Sequence, residues 1–269
     1  MLCRVLKCPR ATYYRYLRRK GIAKGEDAIT DLVIEIFNES KGNYGSRRIK
    51  ASLSQIGVVA SRRRIRRIMK ENYLFSSYQI AYFKPYPSKR KVNGEAVGNA
   101  VERRFSGREY REVIISDLTY INVSGRTAYI CFVTDLFNRE IVGYSVGFNK
   151  TPKLVLEAFR SIGDLHTVKY FHTDRGSEFK NEEIDRLLAN IGIRRSLSMP
   201  GCPYDNACAE TLFGKTKIEF VRNRRFSSLA EVKHELFQYV WWYNHHRLHS
   251  SLGYMSPVDY RNAKLGVYN

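Results

Sequence analysis

The chain has 269 residues, with 46 Lys and Arg against 26 Asp and Glu for a formal net charge of +20, and 43% hydrophobic residues, enough for the packed core of one large or two smaller domains. No apolar run approaches the roughly 18 residues that cross a bilayer, so a membrane-spanning protein is excluded, and Met1 to Lys7 shows no apolar core of signal-peptide length. The five scattered cysteines (Cys3, Cys8, Cys131, Cys202, Cys208) imply a reduced, cytoplasmic protein without disulfides, and so basic a composition implies a polyanionic partner, most simply nucleic acid.

The charge is unevenly placed. Residues 1–110 hold 25 basic and 9 acidic residues, whereas residues 111–269 hold 21 and 17. Substrate holding is therefore expected in the first part and other chemistry in the second. Residues 1–25 read as a partial helix-turn-helix or a linker, with Tyr13, Tyr14, Tyr16 and Leu17 equally readable as an interface stripe. In residues 26–83, Ile29, Leu32, Val33, Ile36 and Phe37 fall at helical spacing, and the pattern stops at Lys41 to Gly45. Ser46 is the expected cap of a second helix through Ile49 and Leu53. Ser61 is the expected cap of a third, with Ile65, Ile68 and Met69 inward and Arg62, Arg63, Arg64, Arg66, Arg67 and Lys70 on its other faces. Six basic residues in nine repel one another unless phosphates neutralise them, so this segment reads as the DNA-contacting helix of a helix-turn-helix, with Arg47 and Arg48 beside it. The bland alternative is a solvated helix face. Prolines and charge in Lys84 to Lys91 mark residues 84–110 as a linker.

From Arg111 the pattern becomes strand-like. Strands are expected over Arg111 to Val123, Thr127 to Thr134 and Glu140 to Phe148, separated by turns close enough for antiparallel hairpins. A helix capped by Thr151 and opened by Pro152 follows, then a strand Val168 to Thr173, a helix ending at Gly192 and a strand Ile193 to Met199. This order suits an α/β fold of the ribonuclease H-like kind, a mixed five-stranded sheet with helices over residues 111–225, preceded by the all-α region and followed by a helical extension at 226–269.

Three carboxylates stand out. Asp117 lies inside an apolar strand, where burial of a charge is costly without a reason. Asp174 ends a strand, and Glu210 lies on the helix after Pro203-Tyr204-Asp205-Asn206, with Asp205 as expected N-cap. The gaps of 56 and 35 residues are the proportions of a DDE site. Among other acids, Asp135 reads as a hairpin-turn residue, Glu178 as an exposed turn acid. Cys202 and Cys208 lack a second pair at zinc spacing, and His245, His246 and His249 read as packing or phosphate contacts. Trp241 and Trp242 read as core rather than as platforms for bases.

These segments carry a resemblance. Ser116-Asp117-Leu118-Thr119-Tyr120-Ile121, His172-Thr173-Asp174-Arg175-Gly176-Ser177-Glu178-Phe179, Pro203-Tyr204-Asp205-Asn206-Ala207 before Glu210, Tyr243-Asn244 to Pro257, and upstream Asn43-Tyr44-Gly45-Ser46-Arg47-Arg48-Ile49 resemble, over nearly the whole chain, the OrfB transposases of the third large family of bacterial insertion sequences, whose core resembles retroviral integrase. Arg175 stands where Gln is usual and Leu118 where Ile is common. The resemblance implies a DDE transposase in which Asp117, Asp174 and Glu210 hold two Mg²⁺ ions, with Mn²⁺ able to substitute. It implies double-stranded DNA partners, namely the element's inverted repeats and a target, on which the protein forms a homo-oligomer, and a bacterial, nucleoid-associated location. It implies also an upstream frameshift-fusion partner. Lys217, seven residues after Glu210, matches the family's lysine at the DNA terminus, and Arg247 in the C-terminal motif is expected to touch DNA. Two rival functions are a DNA-binding protein with a catalytically silent core and a nonspecific ribonuclease H-like nuclease; the intact acidic triad speaks against the first, and the helix-turn-helix would be idle in the second.

Overall fold

The structure, a computed structural model, describes Pro9 and residues 28–80, 97–102, 104–179, 181–199, 203–222 and 224–267; the expectation for residues 1–25 lies outside them. The chain divides into two compact units, residues 1–80 and 81–269.

The first unit contains α1 (Ala28–Glu39), α2 (Ser46–Gln55), α3 (Arg62–Glu71) and the single turn α4 (Ser77–Ile80). Val33 and Ile36 from α1, Ile49 and Leu53 from α2, and Ile65, Ile68 and Met69 from α3 are buried, as their spacing requires. Ser61 caps α3, its Oγ accepting from Arg64 N at 3.2 Å. The N-cap of α2 is Gly45 rather than Ser46, which lies inside the helix.

The second unit is built on a five-stranded sheet ordered β3-β2-β1-β4-β5, from β1 (Val113–Val123), β2 (Arg126–Asp135), β3 (Ile141–Gly147), β4 (Tyr170–Thr173) and β5 (Arg194–Leu197). β1, β2 and β3 form an antiparallel meander, while β4 and β5 add in parallel on the other side of β1. The β1–β2 turn places Ser124 at φ 46° and Gly125 at φ 83°, the left-handed pair that matches the twist of a two-residue hairpin. Helices α5 (Pro152–Arg160) and α6 (Glu182–Asn190) connect the later strands. Leu154, Val155 and Phe159 of α5 pack with Ile114, Leu118, Cys131 and Phe171 on one sheet face. Gly143 on β3 lets α5 approach, since a Cβ there would fall 2.5 Å from Ala158 O. This is the mixed sheet of a ribonuclease H-like fold. Within the segment expected as linker, Gly98 O accepts from Leu197 N at 3.1 Å and Val101 is buried.

Beyond the sheet lie α7 (Ala207–Thr216), a π-helical segment Lys217–Val221, α8 (Leu229–His245) and α9 (Pro257–Leu265). The open edge at the start of β3 is covered by a side chain: Asn244 Oδ1 accepts from Ile141 N and its Nδ2 donates to Ile141 O, both at 2.9 Å. The amide thus completes the ladder as a strand would. Among the described residues no helix is long and apolar enough to cross a membrane, and Cys131 and Cys208 are free thiols.

Asp135 ends β2 fully buried, accepting from Phe137 N and Arg111 N at 2.9 Å each, which is the turn role read from sequence. Burial pushes its carboxyl up from 3.8 to about 6, against the lowering effect of those two N–H groups. A carboxyl raised in this way favours folding below its unfolded value, and that contribution is lost as pH rises through the folded value. Denaturant titrations from pH 4 to 7 should therefore show the wild type losing stability relative to both Asp135→Asn and Asp135→Ala, with the Ala variant, which strands both N–H groups, about 2 kcal/mol below the Asn variant at every pH.

Candidate active site

β1 and β4 run parallel in a register that pairs Ser116 with Thr173. An aspartate follows each of these residues, Asp117 within β1 and Asp174 just past the end of β4, so the register brings both to the same end of the paired segment. Asp117 is 6% exposed, and its Oδ1 accepts from Leu118 N at 2.7 Å. Asp174 is half-buried and its Oδ1 accepts from Gly176 N at 2.9 Å, closing a turn at the strand end. Asp117 pairs across the ladder with Phe132, so the two share a face. Phe132 meets Phe213 at 5.6 Å between ring centroids; this is therefore the face covered by α7, the helix that carries Glu210. Ala209, Leu212, Phe213 and Thr216 are the buried residues of α7, whereas Glu210 in its first turn is exposed.

Among the described residues, no three His, Cys, Asp or Glu side chains converge closely enough to hold a metal ion. The aspartate pair is brought together; Glu210 lies on the helix above the same face without closing the cluster. Hard carboxylate oxygens suit Mg²⁺, which keeps several waters and is commonly held by one or two carboxylates plus substrate phosphates.

The loop after Asp174 is fixed from several directions. Gly176 is required because a Cβ would fall 2.5 Å from Glu178 Oε1. Glu178 is not the exposed turn acid read from sequence: it is 4% exposed, with Lys150 Nζ 3.0 Å from Oε2 as an ion pair. Arg175 Nε donates to Ser198 O at 2.9 Å and its guanidinium also reaches Val97 O at 3.2 Å, tying the loop to the segment that enters the core. His172, two residues before Asp174, is fully buried among Ser196, Ser198 and the Asp205 carbonyl. Its proton affinity is lowered by that burial, against the raising effect of Asp205 and Asp174. Behind the pair, burial pushes the Cys131 thiol up to about 12, Ser116 lowering it and Asp117 and Glu178 raising it further. Cys131 is chemically quiet for that reason.

Lys217 places Nζ 4.8 Å from the centre of the Tyr120 ring, an aromatic 59% exposed on a strand that is otherwise almost wholly buried. In the first unit Arg47, Arg63, Arg66, Arg67 and Lys70 are exposed, Arg62 and Arg64 are half-buried, and half-buried Arg48 lies over the rings of Tyr44 and Tyr78 at 5.5 and 5.4 Å. Arg247 is a correction. Its side chain is 0% exposed, and Nε and Nη2 donate to Glu219 at 2.7 Å, with His249 against Nη1. A guanidinium sealed on a buried carboxylate presents nothing to DNA. Asp205 also differs: the residue before α7 in capping position is Asn206, while Asp205 Oδ2 accepts from Met199 N at 3.0 Å. Trp242 is buried as expected, but Trp241 is 52% exposed, stacked on His245. Sequence reading missed His172, Lys150 and Glu219. Only His172 had a local signal, a polar ring in an apolar strand beside a candidate ligand.

Comparison with known proteins agrees with this geometry. Models described as "Integrase core domain" match residues 108–203 and 210–265, and one described as "HTH-like domain" matches 24–80. The transposase for insertion sequence element IS904 of Lactococcus lactis is 31% identical over 238 residues, covering 87% of this chain and 93% of the relative. The putative transposase InsK for element IS150 of Escherichia coli is 29% identical over 265 residues, covering 97% and 92%. Among solved structures, the catalytic core domain of BIV integrase matches at a TM-score of 0.43 and 18% identity, over 59% of this chain and 99% of that one.

Removing Arg247 leaves Glu219 an uncompensated buried charge. Arg247→Met should therefore cost about 3–5 kcal/mol in denaturant unfolding, and the double variant Arg247→Met/Glu219→Gln should recover much of it; a surface DNA contact would instead leave stability unchanged.

Proposed function

Since the chain belongs to the insertion-sequence transposases, which join an HTH-like domain to an integrase core, and is by that membership a DNA transposase, we propose that it binds the inverted-repeat ends of its own element through residues 26–80 and cleaves and joins strands at Asp117, Asp174 and Glu210. The observation that carries the assignment of residues is the adjacency of Asp117 and Asp174 on parallel β1 and β4, facing the helix of Glu210. Such a pair is costly at rest, because two neighbouring carboxylates repel one another. When bound, Mg²⁺ would supply charge neutralisation at the phosphorus and activation of the attacking oxygen.

The chain's own residues have separate tasks. Asp117, held by Leu118 N on the face covered by α7, would be one of the metal ligands. Asp174 is aimed by Gly176 N, so its orientation follows the turn that Glu178 and Arg175 fix. Glu210, exposed in the first turn of α7, completes the ligand set when phosphate oxygens enter. Lys217 lies two turns further along the same helix, and its ammonium, resting on Tyr120, holds the DNA terminus near the carboxylates. In the first unit, the exposed arginines of α3 neutralise phosphates. Assembly as a homo-oligomer on DNA, a fusion partner upstream, and work at the nucleoid in the cytoplasm belong to the same reading. A DNA-binding protein with an inert core leaves the paired aspartates without a task.

A labelled duplex bearing the repeats that flank the gene, incubated with Mg²⁺, Mn²⁺ or EDTA, tests this. Cleavage or joining at the repeat end should need the metal and fall by at least about a thousandfold in Asp174→Asn and in Glu210→Gln, an electrostatic loss of roughly 4 kcal/mol. Activity that survives both substitutions would sink the assignment. Binding measured at a series of salt concentrations gives an independent check: Arg63→Ala and Arg67→Ala should each weaken binding and lower the slope of log K against log salt by about 1.

A further inference from the structure

The buried His172 ring is held at both nitrogens, and its Nε2 also lies 3.2 Å from Ser198 Oγ, which can accept beside the Asp205 carbonyl while donating to Thr173 O. Nε2 lies 3.1 Å from the carbonyl oxygen of Asp205, which can only accept, so Nε2 carries the proton. Nδ1 of the neutral ring is then an acceptor, and Ser196 Oγ, 2.9 Å away, donates to it. Ser196 Oγ in turn accepts from Ala100 N at 2.9 Å. Donation thus runs from residue 100 through β5 and β4 to the last residue but one before α7. The same residue is held from its side chain, where Asp205 Oδ2 takes the N–H of Met199 at 3.0 Å. α7 has no side-chain cap bond from Asn206, and Glu210 lies in its first turn; its start is held by the ties at Asp205 and, from the other side, by Arg139 Nη1 at 3.1 Å from Cys208 Sγ.

We propose that His172 is a positioning residue for Glu210: through its Nε2–H it anchors the Asp205 carbonyl to the strand that carries Asp174, and so sets the start of α7 over the aspartate pair. The inference rests on the catalytic reading of Glu210 given above. An anchor of this kind has a functional reason. Glu210 comes from a helix and Asp174 from a strand, and no bond within either element fixes one against the other. A misplacement of about 1 Å in such a constellation can cost around a hundredfold in rate.

Two substitutions separate the anchor from mere filling of the site. His172→Gln ends in an amide near the position of Nε2, able to donate to Asp205 O while losing Ser196. His172→Asn reaches only the position of Nδ1, keeping Ser196 and losing Asp205. The full chain is assayed for kcat and KM on the repeat-end duplex with Mg²⁺, and backbone amide hydrogen exchange is followed across residues 203–212, with thermal melts confirming that both variants fold. The Gln variant should stay within about threefold of wild-type kcat with wild-type exchange. The Asn variant should lose about tenfold or more in kcat at nearly unchanged KM, with faster exchange in 205–210 and slow exchange retained in β4 and β5. Equal kcat in the two variants, or wild-type exchange in the Asn variant, overturns the proposal. Faster exchange with unchanged kcat, in a protein that also tolerates Glu210→Gln, keeps the tie to Asp205 but overturns its catalytic purpose along with the role of Glu210.

Discussion

The parallel pairing of β1 with β4 is the constraint to which much of the second unit answers. It delivers two aspartates to adjacent positions at the end of the paired segment, one of them nearly buried. Burial and like-charge proximity both work against this arrangement. The surroundings compensate by fixing geometry. A backbone N–H on each carboxylate, a glycine that lets Glu178 fold beneath the turn, an arginine drawn to two carbonyls and a histidine wired through two strands each remove a freedom that the pair would otherwise use to separate. Sites that break local stability rules usually do so for function, and the supporting contacts are where the stability is recovered.

The buried Arg247–Glu219 pair applies the same logic further along the chain. An ion pair with both side chains at 0% exposure is weak grounds for stability, because desolvation consumes most of the Coulomb gain. What it supplies is register. Glu219 sits in the π-helical segment, Tyr239 of α8 hydrogen-bonds to it at 3.3 Å, and Arg247 follows α8. The segment that begins at Lys217 is thereby fixed to the C-terminal helices, and π-helical turns are frequent at functional sites because they re-aim one side chain within a helix. Asn244, closing the β3 edge three residues before Arg247, gives these helices a second fixed point on the sheet.

How much of this was legible in the sequence follows from the range of each interaction. The strands of the meander and the three basic-unit helices were readable because their signals are local: β-branched and aromatic runs of the right length, and apolar residues at helical spacing. Asp117 stood out because a carboxylate at the core of an apolar strand contradicts its neighbours, and Asp174 because it ends a strand at a turn, a favoured place for working groups in sheet folds. Glu219 gave no such sign, since its partner lies 28 residues away and nothing near it asks for a charge. Arg247 misled for the complementary reason: among histidines and a serine it looks like surface, and only the distant carboxylate explains its burial. Glu178 and Asp205 were misjudged one step from their correct surroundings, because turn residues are assigned by which group happens to face them. The alternation at Trp241 and Trp242 was hidden by adjacency, as neighbouring helical positions lie about 100° apart and share no face.

The concentration of positive charge before residue 111 has a physical reason that the site makes plain. A core whose working groups are carboxylates repels the phosphates on which it acts, so it cannot also be the main source of affinity. Raising the core's own positive charge would draw DNA in, but it would also place cations against the aspartates and compete for the oxygens that a metal needs. Placing 25 basic against 9 acidic residues before residue 111, and near balance after it, avoids that conflict. On the proposed reading, counterion release on the exposed arginines of α3 supplies attachment without sequence or metal, and the core needs only the few contacts that define the cleavage point. Salt should accordingly govern whether the protein is on DNA, and the metal should govern what happens there, as two separable dependences of one chain.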